Sequence, residues 1–402
     1  MCYNKYMVIL MKTIKDYNLK NKKVIIRVDF NVPIKDGNII DDTRIVESLE
    51  TIKYAIDNQA KVILLSHLGR IKEKEDLVKN SLAPVAKRLS ELLNKKVVFV
   101  SSLDFNTIKA EIAKLEAGDI CLLQNTRFYD LDGKKESSNS IELASLYASL
   151  GDIFINDAFG TLHRAHASNV GIANILPNGI GFLIEKELKE LTYLANPERN
   201  YTVILGGSKV SDKIRVIEEL VKKCDNLLIG GAMAFTFLKA KGYNTGKSLV
   251  EDDYLDFCKK ILTEYENKII LPVDVNTTKD IASDNAVYKN ITKMDDDDIG
   301  LDLGPETVNL FIKILGSSKT VFWNGPLGYY EKELYQKATK DLLEYLVNSN
   351  ITVVLGGGDI VAASSKLGYK DKVTLASTGG GATLEYLEGK ELPGLKVIEE
   401  KE

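Results

Sequence analysis

Short runs of apolar and β-branched residues alternate with longer segments whose apolar residues recur at helical spacing. Val24–Val28, Val62–Leu65, Val97–Val100, Ile120–Leu123 and Ile153–Ile155 predict buried strands, with helical patterns such as Thr43–Asn58 and Leu82–Leu93 between them. The second half continues with Thr202–Leu205, Leu227–Ile229, Ile269–Val273, Thr320–Phe322, Thr352–Leu355 and Val373–Leu375. Strands separated by helices imply βαβ units and parallel sheets. Between the halves, Leu183, Ile184, Leu188, Leu191 and Leu194 fall on one face of a helix over Phe182–Leu194, which Asn196-Pro197 stops. The fold class predicted is α/β: two doubly wound parallel-sheet (Rossmann-like) domains joined by that helix. No repeat of fixed period interrupts the pattern, and Asp295–Asp298 reads as a solvated loop.

A length of 402 residues suits two or three domains, and 45% hydrophobic with 27% charged residues suits a folded chain. A net charge of −4 argues against a general nucleic-acid binder, which needs a basic surface, though it allows a local basic cleft. No apolar run reaches the roughly 18 residues that span a bilayer. Met7–Met11 is too short for a secretory leader. Cys2, Cys121, Cys224 and Cys258 lie far apart with no CxxC, which argues against a disulfide framework or structural zinc. The expectation is a soluble protein of the reducing cytoplasm with no membrane or nucleic-acid partner.

Only eight of the 53 basic residues are arginine. A chain so rich in lysine keeps arginine where a planar fork is needed to grip phosphate or carboxylate. Ligands of open parallel sheets bind beyond the carboxyl ends of the strands, and there the first half carries Asp29-Phe30-Asn31, Ser66-His67-Leu68-Gly69-Arg70, Gln124-Asn125-Thr126-Arg127 and Asn156-Asp157, followed by His163-Arg164 and His166. All three histidines, with Arg70, Arg127, Arg164 and nearby Arg44, fall in this set, which predicts a basic bowl for a small, multiply charged anion. The second half ends its strands in glycines: Gly206-Gly207-Ser208-Lys209, Gly230-Gly231, Asn324-Gly325-Pro326-Leu327-Gly328, Gly356-Gly357-Gly358-Asp359 and Gly379-Gly380-Gly381. Such turns let backbone N–H groups approach phosphate, and Asp359 is placed to hold Mg²⁺ on phosphate oxygens. A glycine pair alone signals only a tight turn; four or five in one domain point to a phosphate ligand.

Gly242–Ser248 nearly spells a P-loop, but it has three residues between its glycines rather than four and follows a predicted helix, Ala232–Lys241. No G-x-G-x-x-G follows a first strand, so a dinucleotide-dependent dehydrogenase loses support.

The motifs RVDFNVP, SHLGR, NTRF, NDAFGTLHRAHAS, GGSKVSDKI, GLDLGPET, FWNGPLGYYE and STGGGATLEYLEGKELPG mark the chain as resembling the phosphoglycerate kinase family from about Met11 to Gly394. The resemblance implies a hinge-bending monomer that moves a phosphoryl group between 1,3-bisphosphoglycerate and ADP in glycolysis. It implies a glycerate-binding domain over 1–180 plus a returning tail at 388–402, a hinge helix over 181–198, and a nucleotide domain over 199–387. It assigns 3-phosphoglycerate binding to Asp29, Asn31, Arg44, His67, Arg70, Arg127 and Arg164. It assigns nucleotide binding to Gly206, Gly207, Lys209, Lys213, Gly230, Gly231, Leu249, Leu301, Asn324, Pro326, Gly328, Glu331, Gly357, Gly358, Asp359 and Ile360. Arg44 and Lys213 resemble the catalytic pair that steadies the transferring group, and Asp359 the Mg²⁺ ligand, with ATP/ADP as substrate. Against the family's usual pattern, Gln124 replaces a Glu, Ser208 an Ala, and Ile360 a Thr or Ser. The last removes a hydroxyl contact to phosphate while leaving the backbone N–H. Met1–Leu10 precedes the family's usual start, and is either a disordered extension or upstream of translation beginning at Met11. A two-domain binding protein without turnover is the competing class; Arg44, Lys213 and Asp359 favour the enzyme, because binding alone needs no clamp on a group in flight.

Overall fold

The computed structural model describes residues 11–195, 197 and 199–400. The chain divides into two compact units: residues up to Lys189 with Glu391 onward, and Glu190–Lys390.

The first unit holds β1 (Lys23–Arg27), β2 (Ile34–Lys35), β3 (Asn38–Ile39), β4 (Lys61–Leu65), β5 (Val97–Val100), β6 (Ile120–Leu123), β7 (Ile153–Asn156) and β8 (Asn178–Ile180). Six of these form one sheet in the order β5-β6-β4-β1-β7-β8, and β2 pairs with β3 in a small antiparallel hairpin. Every pairing in the main sheet is parallel. Its strands are apolar on both faces, as a sheet covered by helices on each side requires. Val24, Ile26, Val62 and Leu64 enter one core, and Ile25, Ile63, Leu65 and Phe154 the other.

The second unit repeats the plan with β9 (Tyr201–Leu205), β10 (Asn226–Ile229), β11 (Ile269–Ile270), β12 (Asp274–Thr278), β13 (Val287–Asn290), β14 (Ile299–Leu303), β15 (Thr320–Asn324), β16 (Thr352–Gly356) and β17 (Leu375–Ser377). The main sheet runs β11-β10-β9-β15-β16-β17, all parallel. A separate antiparallel sheet runs β13-β12-β14.

Four expectations change. Thr43–Asn58 is two helices, Thr43–Glu47 and Leu49–Asp57; Ser48 bonds its hydroxyl back to the Arg44 carbonyl at 3.1 Å, the competition that bends helices. Ile269–Val273 is not one strand: it stops after Ile270, ahead of Pro272, which has no N–H for a ladder. The strand expected at Val373–Leu375 lies instead at Leu375–Ser377, and β8 and the antiparallel sheet have no counterpart among the expected strands. Asp298 is not solvated, being 1% exposed and salt-bridged to Lys289 at 2.8 Å and Lys279 at 3.0 Å.

The connecting helix spans Phe182–Ala195, and all five of its predicted apolar positions are buried. Its first turn is capped from elsewhere in the chain: Leu183 and Ile184 donate backbone N–H bonds to Asp157 Oδ1 at 3.0 and 3.4 Å. Asp157 is fully enclosed, and burial raises its carboxyl to about 8. At the C-terminal end, Lys12 donates its N–H to the Glu399 carbonyl at 2.8 Å and its ammonium to the Glu399 carboxylate at 2.8 Å, tying the tail to the first unit. Cys121, Cys224 and Cys258 are buried free thiols, and burial pushes each up to about 12. Cys2 and Met1–Leu10 lie outside the described residues. Among the described residues no helix is long and apolar enough to cross a membrane.

Trp323 is the largest fully buried side chain, and its indole N–H donates to the Gly325 carbonyl at 2.8 Å. Trp323→Ala is expected to destabilise the second unit by about 3–5 kcal/mol, read from its denaturant midpoint. A loss below about 1 kcal/mol would mean the site refills.

Candidate functional site

Because the strands of each main sheet are parallel, their carboxyl ends share one edge. On the first unit that edge carries the arginine cluster. Arg44 Nη1 donates to Asp29 Oδ2 at 3.0 Å and to the Asn31 carbonyl at 3.3 Å. Gly69 donates its N–H to Asn31 Oδ1 at 2.8 Å, joining the ends of β1 and β4. Asn125 ties in β6: its amide donates to the Leu68 carbonyl at 2.7 Å and its Oδ1 accepts from Arg127 N at 3.0 Å. Arg127 reaches back to the Gly69 carbonyl. Arg70 and Arg164 are exposed on the same edge. Asp29, Asn31, Arg44, His67 and Arg127 are thus drawn together by the fold, with Arg70 and Arg164 at the rim.

Burial would raise the Asp29 carboxyl, but the charges of Arg44 and Arg27, with the Asn31 N–H, outweigh it and hold the group below the usual range. His67 is pushed well below its ordinary value by burial, helped by Arg27, Arg127 and Arg44 against Asp29. Burial also lowers Arg127, and the neighbouring charges of Arg164 and Arg27 add to it. Guanidinium groups crowded this closely leave a concentrated positive field, which favours an anion. Arg27, Glu136 and Ser168, buried beneath the cluster, were not picked as site residues. The signal for Arg27 was available: a charged residue inside an otherwise apolar strand run.

Gln124 has a clear structural role. Its Oε1 accepts N–H bonds from Leu82 at 3.0 Å and Asn125 at 2.9 Å, and its Nε2 donates to Ser81 Oγ at 3.1 Å. The amide uses both its acceptor and its donor, so the turn is held without a carboxylate.

In the second unit the strand ends open on a cleft of about 590 Å³. Gly207, Gly231, Leu249, Leu301, Pro326, Gly328, Glu331 and Asp359 line it. Gly206, Gly230 and Asn324 stand behind the lining, where the turns interlock. A Cβ on Gly231, at φ +65°, would lie 2.5 Å from both the N and O of Gly207. Two backbones meet there, and only glycine permits it. Gly207 has φ +96°, and a Cβ would touch the Lys213 side chain at 3.4 Å. Lys213 bonds through Nζ to Asn324 Oδ1, and Asn324 Nδ2 to the Gly356 carbonyl. Burial lowers Lys213 to about 8, against the opposing pull of Asp359 and Asp212. Lys209 is exposed on the same loop. Gly357, Gly358, Asp359 and Ile360 form the N-terminal turn of the helix Gly358–Lys366. The Ile360 side chain is fully buried in the apolar core, and Ile360 is not among the residues that line the cleft. Ser208 is exposed and lines the cleft.

The apolar cleft wall went unread: Phe235, Val275, Ile281, Ile299 and Tyr329 line it, with the Phe235 ring against Gly300. Two, Val275 and Ile299, come from the antiparallel sheet, and side chains that meet only through tertiary folding leave no local signal. Glu251 was also missed. It accepts N–H bonds from Val210 at 2.6 Å and Ser211 at 3.0 Å, fixing the loop that carries Lys209 and Lys213. The rejected P-loop look-alike does follow a helix, Met233–Ala240.

An arginine-edged parallel α/β unit and a second unit with a glycine-turned cleft define an α/β enzyme equipped for phosphoryl transfer. The chain matches the family profile described as phosphoglycerate kinase over residues 14–390. It is 51% identical to a phosphoglycerate kinase of Enterococcus faecalis over 395 residues, covering 97% of this chain and 99% of that one. It is 52% identical to one of Macrococcus caseolyticus, covering 97% and 99%. The solved structure of the Coxiella burnetii phosphoglycerate kinase superposes with a TM-score of 0.85 at 40% identity, covering 96% of this chain and 98% of that one. The chain belongs to the phosphoglycerate kinase family. Its reaction is the reversible transfer of a phosphoryl group between 1,3-bisphosphoglycerate and ADP, a step of glycolysis, with a carboxyl group as the acceptor.

Asp302, 3% exposed, lines the cleft, and its oxygens accept from Leu303 N at 2.9 Å and Ala338 N at 3.1 Å. Burial nevertheless raises it from 3.8 to about 8. A carboxyl raised on folding binds more protons when folded, so its contribution to stability is lost as pH rises through that window. The stability of wild type relative to Asp302→Asn is therefore expected to fall between about pH 5 and 7, by up to roughly 1.4 kcal/mol per unit. Parallel denaturation curves across that range would contradict it.

Proposed function

We propose that the strand-end cluster of the first unit holds 3-phosphoglycerate or 1,3-bisphosphoglycerate, through Asp29, Asn31, Arg44, His67, Arg70, Arg127 and Arg164. The cleft of the second unit takes ATP or ADP, its glycine turns and the Gly358–Lys366 helix N-terminus facing the phosphates. The observation that carries this reading is Lys213, a half-buried lysine tethered by Asn324 beside the glycine turn and close enough to Asp359 to feel its charge.

Asp359 is an exposed carboxylate on the cleft, a hard oxygen donor that fits Mg²⁺. Bound there with the nucleotide phosphates, Mg²⁺ would neutralise charge on the transferring group. The acceptor is a carboxylate already ionised at neutral pH, so the chain needs no general base. What remains is positioning and charge stabilisation of a loose phosphoryl transition state, which Arg44 and Lys213 supply. Donor and acceptor are assigned to different units, so transfer in line requires closure that also excludes water. The reading is of a cytoplasmic monomer acting on small molecules, without nucleic-acid or membrane partners.

The direct test is turnover of 3-phosphoglycerate and ATP with Mg²⁺, with 1,3-bisphosphoglycerate drawn off by a coupled dehydrogenase. Rate that vanishes without either substrate or Mg²⁺ supports the reading. Binding of both ligands without turnover moves it to a binding protein. Lys213→Ala is expected to lower kcat about 10³-fold or more; near-normal turnover would remove its assigned role. Arg44→Ala is expected to weaken 3-phosphoglycerate binding at least roughly tenfold by calorimetry while ATP affinity is retained. Because Lys213 loses its proton near pH 8, kcat/KM is expected to decline above about pH 8 and to stay level in Lys213→Arg.

A further inference from the structure

Beneath the strand-end cluster lies a buried layer with no part in the transfer step. Arg27, the last residue of β1, is 0% exposed. Its Nε donates to Ser168 Oγ at 2.9 Å, and its Nη1 donates to the Val28 carbonyl. Ser168 passes the interaction on: its N–H donates to Glu136 Oε2 at 3.1 Å and its hydroxyl to Glu136 Oε1. Glu136 is also 0% exposed, so a buried cation and a buried anion balance each other through one serine.

The remaining nitrogen of the fork, Arg27 Nη2, lies 3.3 Å from His67 Nδ1. A guanidinium has only donors and keeps its charge in proteins. The Nδ1 facing it must therefore supply a lone pair, which leaves the ring proton on Nε2. The charged groups facing His67 are Asp29, Arg27, Arg127 and Arg44, with Asp29 Oδ1 at 3.7 Å from Nδ1, beyond hydrogen-bond reach. Three guanidinium groups and burial stand against one carboxylate, and together they disfavour protonation of the ring.

We infer that Arg27 is a positioning residue that locks His67 as the neutral Nε2–H tautomer, making His67 a directed hydrogen-bond donor to an oxygen of the bound glycerate rather than a positive charge. This rests on the glycerate-site reading of the cluster. It divides the labour at the strand ends: Arg44, Arg70, Arg127 and Arg164 supply charge, and His67 supplies direction.

The test is nitrogen-15 imidazole NMR of the full chain without ligand. With three histidines in the sequence, His67→Gln completes the assignment. In wild type, His67 Nε2 is expected to resonate as a protonated pyrrole-type nitrogen and Nδ1 as a bare one, unchanged from about pH 5 to 8. A protonated Nδ1, or a ring that charges in that range, overturns the inference whatever the activity. Arg27→Lys keeps a cation opposite Glu136 but loses the fork. It is expected to mix the His67 tautomers and to raise KM for 3-phosphoglycerate roughly tenfold, about one hydrogen bond to a charged ligand, with a smaller change in kcat. An unaltered His67 spectrum and KM in that variant would also overturn it. If the variant does not fold, the wild-type spectrum still decides. Failure of the glycerate-site reading would appear separately, as unchanged 3-phosphoglycerate affinity in Arg44→Ala with the His67 spectrum intact.

Discussion

Parallel pairing of the strands is the constraint behind both candidate sites. A sheet whose strands all run one way, with helices over both faces, must send every chemistry-bearing loop to the same edge. In the first unit this gathers four loops far apart in sequence, and Asn125 and Asn31 stitch the three that follow β1, β4 and β6 together by side-chain bonds to backbone. The arginines then sit on a rigid frame, so the entropy of holding like charges together is met by folding rather than by binding.

The strand turns of the second unit refine how glycine-rich sequences are understood. The sequence suggested that glycine clears space for phosphate. Around Gly206, Gly231 and Gly325, the space is taken by neighbouring backbone: a Cβ on Gly206 would lie 2.2 Å from the Pro326 carbonyl, and one on Gly325 would lie 2.5 Å from the Gly206 carbonyl. Gly358 and Gly380, each with nothing within 4 Å, leave open room at helix starts. Glycine therefore serves both ends here: interlocked turns behind the cleft and an open approach in front of it.

Much of this was legible before folding, because alternation of apolar runs and polar strand ends is local. The linking helix could be read from five leucine and isoleucine positions, and the arginine edge from the residues just past each strand. What escaped was whatever depends on distant partners. The cleft wall needs Phe235 and residues of β12 and β14 to meet. The break at Ser48 needs its hydroxyl to choose the Arg44 carbonyl over water. Asp298 looked solvated in a run of aspartates because Lys279 and Lys289, which enclose it, come from elsewhere in the antiparallel sheet region. Arg27 is the reverse case: its position in a buried strand was visible, but its use required seeing Glu136 and Ser168 below it.

Gln124 has a consequence beyond the turn it holds. Its amide makes three hydrogen bonds and carries no charge. A carboxylate in that place would set a fixed negative charge one residue from Asn125, at the root of the loop carrying Arg127. Without it, field lines from the guanidinium groups extend farther into solvent before they are cancelled. An anion diffusing nearby is drawn toward that edge from within about a Debye length, roughly 8 Å at physiological salt. A neutral side chain that shapes a turn therefore also leaves the positive field of that edge undiminished.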